Sequence, residues 1–310
     1  MRSDYHKKKK KKGRKRKVIG IIFLILLIGG GIYAASFYQS LKDAVSTMQG
    51  TDYKSDKRAE DLKFKRQDPF SLLILGVDER KGDRGRSDTM IVMTVNPKKE
   101  SIEMLSLPRD TRTEIVGHNS TEKMNHAYAY GGIPMAINTI EAFLDIPIDY
   151  YVKMNMEGFK DIVDAVDGVT VENDMNLSHG GFSYPKGTLT LSGEEALVYS
   201  RIRKEDPRGD YGRQMRQRQV IQAIMKKGAS LSSLTNYQDI FKALGKNVET
   251  NLSFDEMLSI QNHYKPALGH IEQTTIEGEG QRIDGLWYLI VSEEEKQKIQ
   301  AGLKEQLELP

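Results

Sequence analysis

Fourteen arginines follow residue 17, and eleven of them fall in three short segments. Arg80, Arg84 and Arg86 form the first, Arg109 and Arg112 the second, and Arg201, Arg203, Arg208, Arg213, Arg216 and Arg218 the third. Lysines are spread more evenly. A guanidinium stays charged at every relevant pH and offers planar, paired N–H donors that match phosphate oxygens. A converging set of them suits a ligand with more than one phosphate. Any single arginine here is better explained by an ion pair with a nearby acid such as Glu79, Asp83, Glu205 or Asp206. The clustering as a whole is not.

Two acids stand beside those arginines. Asp78 ends the apolar run Phe70–Val77, and Asp88 precedes the run Thr89–Asn96. Carboxylates at adjacent strand ends can jointly hold Mg²⁺ or Mn²⁺, hard cations that prefer oxygen and share substrate phosphates. Turn-forming aspartates are the plain alternative. In the third segment, ~100° per residue puts Asp210, Arg213, Gln217, Ile221 and Ile224 on one helix face. The apolar end of that face should meet the core, which half-buries an acid, an arginine and an amide. A bound polar ligand would satisfy them, or an Asp210–Arg213 salt bridge would do so internally. Rival chemistries find little support. The chain has no cysteine and six histidines. HExxH, GxSxG and the nucleotide-binding GxxxxGK[ST] are all missing from it.

The elements that must position these groups are legible. Phe70–Val77 and Thr89–Asn96 read as buried strands, and Ser101–Leu107 as an alternating third. Helical spacing covers Ile133–Leu144 and Met156–Val166, with an extended stretch at Asp149–Lys153 between them. Ser192 with Glu195, and Ser253 with Glu256, are capping boxes for helices over Glu194–Tyr199 and Phe254–His263. The mixture predicts one α/β domain, an α-β-α arrangement around a mixed sheet, over residues 69–310. Residues 38–68 read as a polar stalk.

Charge divides the chain sharply. Residues 1–17 carry +10 of a total of +3, so the remainder is −7. Val18–Ala35 follows, eighteen residues without a charge. As a helix it would be roughly 27 Å long, close to the hydrocarbon thickness of a bilayer. A transmembrane signal-anchor over 18–37 is expected, with a cytoplasmic tail 1–17 and the domain outside the cell. A cleaved signal peptide is the competing reading, but the apolar run is long for one. The lysine tract suits orientation and anionic headgroups better than nucleic acid, and no nucleic-acid or nucleotide partner is expected.

Six motifs, in this order, resemble the LytR–CpsA–Psr family. They are Gly76-Val-Asp78-Glu-Arg80, Arg86-Ser-Asp88-Thr-Met, Leu107-Pro-Arg109-Asp110-Thr, Lys123-Met-Asn125-His126, Tyr199-Ser-Arg201-Ile-Arg203, and Asp210-Tyr-Gly-Arg213-Gln-Met-Arg216-Gln217. The likeness spans about residues 70–220 and is greatest to the Bacillus-type wall teichoic acid ligases. It implies an α-β-α sandwich with a long apolar lipid pocket. It also implies a phosphotransferase at the cell surface. Such an enzyme moves an anionic glycopolymer from a polyprenyl-pyrophosphate carrier to the C6 hydroxyl of N-acetylmuramic acid in peptidoglycan. By motif, Asp78 and Asp88 would hold Mg²⁺. Arg86, Arg109, Arg201, Arg203, Arg213 and Gln217 would meet the pyrophosphate, with Arg80, Asn125 and Arg216 as further substrate contacts. Asp210 is the candidate base, or only orients Arg213. A non-catalytic lipid-pyrophosphate scaffold and a membrane-bound transcription attenuator are the alternatives.

Overall fold

The computed structural model describes residues 33–79, 85–230, 241, 244–245 and 247–310. The basic tail and residues 18–32 of the apolar run lie outside the described residues, as does Arg80. Among those described, no helix is long and apolar enough to cross a membrane.

Residues 33–46 form a helix, α1. In chain order there follow β1 (Phe70–Val77), β2 (Ser87–Asn96), β3 (Ser101–Ser106), the hairpin β4 (Arg112–Ile115) and β5 (Ser120–Lys123), α2 (His126–Leu144), β6 (Tyr150–Met154) and α3 (Met156–Ala165). Next are β7 (Val169–Asn173), β8 (Leu177–His179), β9 (Phe182–Tyr184), β10 (Gly187–Leu191), α4 (Gly193–Arg201), α5 (Asp210–Ser230) and β11 (Val248–Thr250). The helix Phe254–His263, β12 (His270–Thr275), the hairpin β13 (Glu279–Ile283) and β14 (Leu286–Ile290), and the helix Glu293–Gln306 complete the chain.

Six strands form the central sheet in the order β11-β6-β1-β2-β3-β12. It is mixed: β1 pairs parallel with β6 and β3 with β12, while β1–β2, β2–β3 and β6–β11 are antiparallel. The apolar runs of β1 and β2 arise because both sheet faces are covered. Leu73, Leu75 and Val77 pack toward α2 and the C-terminal helix, through Ile137, Ile140 and Leu303. Phe70 and Ile74 point the other way, toward Ile221 of α5 and Tyr264. A third core joins α3, α4 and β7–β10 around Val163, Val171 and Tyr199. Both expected capping boxes are present, at Ser192–Glu195 and Ser253–Glu256.

The expected stalk is instead part of the body. Leu41 and Val45 of α1 pack on Phe254, and Met48 packs on Leu244 and Val248. Gly50 N–H donates to the Thr250 carbonyl at 3.0 Å, and Arg58 Nε to Asp149 at 2.7 Å. The apolar residues are few, but Phe37, Leu41, Val45 and Met48 recur at helical spacing and form one stripe. Average polarity conceals such a stripe.

Candidate active site

Because β1 and β6 are parallel neighbours, their C-terminal ends lie side by side, the usual place for a crevice in an α/β sheet. A cavity of ≈ 260 Å³ opens there, with Asp78, Asp88, Asn155, Arg201, Arg213 and Gln217 among its polar lining. Its apolar lining includes Ile74, Met154, Met156, Phe159, Leu197 and Ile221.

Each polar group arrives by a local device. Asp78 is the first residue past β1. Asp88 is the extra residue of a β-bulge, since Gly76 pairs with Thr89 but Val77 with Ser87. Such a bulge re-aims a side chain that the regular pleat would fix. Arg213, Gln217 and Ile221 succeed one another at intervals of four along α5 and line the same wall, as the helical spacing predicts. Arg201 is the last residue of α4, exposed at the cavity, with Nη1 3.4 Å from Met156 Sδ.

Behind this lining lies an ion-pair network. Arg109 Nη1 donates to Asp88 Oδ1 at 2.9 Å, and its Nε lies 3.7 Å from Asp110 Oδ2. Asp210 Oδ1 is 2.8 Å from Arg213 Nη2 and 3.7 Å from Arg203 Nε, and Gln214 Nε2 donates to Asp210 Oδ2 at 2.8 Å. Four arginines, 109, 201, 203 and 213, and four aspartates, 78, 88, 110 and 210, thus meet here. Burial above all lowers the pKa of Arg213; Arg109 and Arg203 add to that, against the pull of Asp210 and Asp88. Burial acts the same way on Arg109, but there Asp88, Asp110 and Asp210 prevail and its pKa is raised. The Nε groups of both arginines are buried without a hydrogen bond. Burial thus disfavours the charge of Arg213 despite its salt bridge to Asp210, and an anion in the cavity would stabilise that charge.

Not every expected residue joins this group. Arg216 is 1% exposed and turned into the protein. Its guanidinium bonds Asp206 and the carbonyls of Tyr199 and Ile202, which makes it a clasp rather than a substrate contact. The sequence could not separate it from Arg213 because one step of three residues decides which side of α5 each takes. Gly212 belongs to the same clasp: a Cβ there would stand 1.9 Å from Asp206 Oδ2. Arg86 is exposed outside the cavity lining, with its carbonyl accepting from Asp78 N–H at 3.3 Å. Asn125 is buried and reaches the site through its backbone, its N–H donating to the Arg109 carbonyl at 3.3 Å. Asp210 forms the internal salt bridge with Arg213, so orientation of that arginine is its visible role.

Several lining residues escaped the sequence. Met154, Asn155 and Met156 join β6 to α3, and Phe159 and Leu197 extend the apolar wall. A parallel β1–β6 pairing would have brought them beside Asp78, but strand order is not written in local periodicity. Gln214, which holds Asp210, carried no motif weight.

Asp78 and Asp88 suit Mg²⁺ as oxygen donors on one cavity wall. Among the described residues no group of three or more His, Cys, Asp or Glu side chains could hold a metal ion by itself. That fits a cation that takes one or two carboxylates and completes its shell from water and substrate phosphate.

Comparison with known proteins places these features in context. The LytR_cpsA_psr family model matches residues 35–305. The polyisoprenyl-teichoic acid–peptidoglycan teichoic acid transferase TagU of Bacillus subtilis is 50% identical over 278 residues, covering 90% of this chain and 91% of that protein. A crystal structure from Enterococcus faecalis, described as a transcriptional regulator, superposes with a TM-score of 0.74 at 41% identity over 80% of this chain and 91% of that one. A structure of TagT bound to LIIa-WTA superposes with a TM-score of 0.72 at 33% identity, over 84% and 99%.

Proposed function

The chain belongs to the LytR_cpsA_psr family, and on that premise we propose that it is a transferase of the cell surface. It moves an anionic glycopolymer, a wall teichoic acid, from a polyprenyl-pyrophosphate carrier to the C6 hydroxyl of N-acetylmuramic acid in peptidoglycan. The observation that carries this reading is the mixed lining of the cavity. Arg201 and Arg213 line it together with Asp78 and Asp88, and Met154, Met156, Phe159 and Leu197 line it too, so charged and apolar groups share one cavity. A lipid pyrophosphate has that same combination. The name of the Bacillus subtilis relative and the TagT structure bound to LIIa-WTA support the choice of polymer.

In the reaction, the acceptor oxygen attacks the phosphorus that bears the glycan. The bond to the bridging oxygen breaks, and lipid monophosphate leaves. Charge grows on the non-bridging and leaving oxygens, where preorganised cations stabilise the transition state. Arg201 and Arg213 are placed to meet those oxygens, and Arg109 holds Asp88 in position. Gln217 offers an amide N–H that donates to the Ser200 carbonyl at 3.5 Å, long enough to be redirected to substrate. Asp78 and Asp88 would hold Mg²⁺, which supplies a Lewis acid for a phosphoryl oxygen when bound. Asp210 keeps Arg213 aimed, and it remains the candidate base for the acceptor proton.

The apolar run Val18–Ala35, flanked by basic residues on its N-terminal side, would anchor the chain in the membrane that carries such a donor. The test is transfer by the full chain in detergent micelles. A polyprenyl-pyrophosphate glycan, peptidoglycan oligomers and Mg²⁺ should give a phosphodiester-linked product by mass spectrometry. Tight donor binding without product, beside an active relative as control, would replace the enzyme with a scaffold.

A further inference from the structure

The hairpin β13–β14 lies beyond the motifs and carries the chain's single tryptophan, Trp287. That indole is 43% exposed. Three of its atoms lie 3.0–3.2 Å from where a Cβ of Gly280 would stand, so the ring rests on a bare stretch of backbone with its other face outward. A side chain at position 280 would lift it. Strand alternation puts Leu289 on the same hairpin face as Trp287. Leu289 in turn lines a second cavity, of ≈ 830 Å³, within the usual range of ligand sites of roughly 300–1,000 Å³. Another wall of that cavity holds Tyr211, 54% exposed and next in sequence to Asp210.

The hairpin is fixed to the reaction site. Leu289 N–H donates to the Asp110 carbonyl at 2.9 Å, and Leu289 bridges Thr111, so the strand lies against the segment that follows Arg109. Tyr288 is buried beneath Arg112 and Lys123, at 5.9 and 5.8 Å from its ring centre. Lys123 Nζ closes the circuit on Asp110 at 2.6 Å. On α5, Tyr211 and Arg218 share a face away from Arg213 and Gln217, so the helix separates the two cavities and its first turn is their common rim.

We propose that the track from Trp287 through this second cavity to Tyr211 binds the acceptor, an uncharged N-acetylhexosamine glycan strand. The inference rests on the transfer reading for the word acceptor. An aromatic face backed by protein and open in front is a stacking surface for the apolar face of a pyranose ring. The Gln273 side chain, held by Arg218 and Gln222, lines the same cavity, and the Thr274 hydroxyl there has a second lone pair to offer a sugar hydroxyl or acetamido N–H. Charge selects the occupant. Glu103, Glu272, Glu277 and Glu295 line this cavity against one Lys298, and such a lining repels a polyphosphate chain but not a neutral glycan. The anionic donor is drawn to the arginine cavity, and the acceptor approaches across α5.

Because Trp287 is the only tryptophan, its fluorescence in the full chain reads this surface directly. Titration with a GlcNAc–MurNAc tetrasaccharide whose two lactyl carboxyls are capped as amides should give a saturable shift, and Tyr211→Ala should weaken it about tenfold, the weight of one large aromatic contact. In the transfer assay, Trp287→Ala should raise the acceptor KM about tenfold with kcat and donor KM unchanged, and Trp287→Phe should restore it. No saturable shift, or a shift that a poly(glycerol phosphate) reproduces and competes away, would overturn the proposal. So would an acceptor KM unmoved by Trp287→Ala. If the parent chain transfers nothing, the transfer reading fails, while the titration still decides the glycan site.

Discussion

Arg213 and Arg216 are three residues apart on one helix and serve different ends. Arg213 lines the cavity, where burial disfavours its charge; Arg216 is spent on Asp206 in the interior. Arg201→Ala and Arg213→Ala should each cut kcat by ~10²–10³, the usual cost of removing one preorganised donor, with circular dichroism unchanged. Arg216→Met should do the reverse. It takes from buried Asp206 one of its two arginine partners, leaving Arg208 alone, which should cost up to about 3–5 kcal/mol and lower Tm, while the protein still folded keeps its donor affinity. The sign of the pH effect follows. Burial opposes ionisation of Asp206, but hydrogen bonds from Arg208 and Arg216 prevail and hold its carboxyl far below the ordinary range. Its stabilisation is thus full above the unfolded value near pH 4 and is lost as pH falls toward the folded one. Stability followed by circular dichroism should fall in the parent as pH drops below about 4, and Asp206→Asn should flatten that limb. For Asp78→Ala and Asp88→Ala, rate and Mg²⁺ dependence should fall together. Activity of the parent in excess chelator would remove the metal from the account.

At the scale of elements, the sequence is most informative where one rule acts alone. β1 is found with its predicted ends because an eight-residue run, apolar but for Ser71 and Gly76, is bounded by Pro69 and Asp78. β2 begins two residues earlier than its apolar run, and those two residues, Ser87 and Asp88, contain the bulge. Periodicity cannot show a bulge, because the departure is a property of the pair of strands. The cavity's arginine wall was legible from the four-residue spacing on α5, whereas its apolar wall depends on the parallel β1–β6 register. The polar reading of residues 38–68 failed on the same ground: α1 is stabilised by Phe254 and Val248, some two hundred residues away. Leu41, 1% exposed, provides the check. Leu41→Ala should cost about 2–5 kcal/mol in denaturant unfolding, as for a core leucine. A change near zero would mean that α1 is a tether.

For the whole molecule, charge and architecture agree on an orientation. Among the described residues an arginine-rich cavity opens on a body of net charge −7, which gives an anionic chain a favourable place to dock. In sequence the +10 tail precedes the apolar run. Because the chain has no cysteine, a single introduced thiol reports topology. In intact cells, Glu294→Cys should react with a membrane-impermeant maleimide and Ser3→Cys should not. Reaction of both, or of Ser3→Cys alone, would undo the surface assignment. The central claim, that the cavity cleaves and transfers rather than holds, turns on the fate of two phosphorus atoms. The donor would be labelled separately at the glycan-bearing and lipid-bearing phosphorus and followed through one turnover on the full chain. The account predicts the first label in peptidoglycan and the second in lipid monophosphate, both lost in Arg201→Ala. Both labels remaining together, in intact donor or in released pyrophosphate, would contradict it.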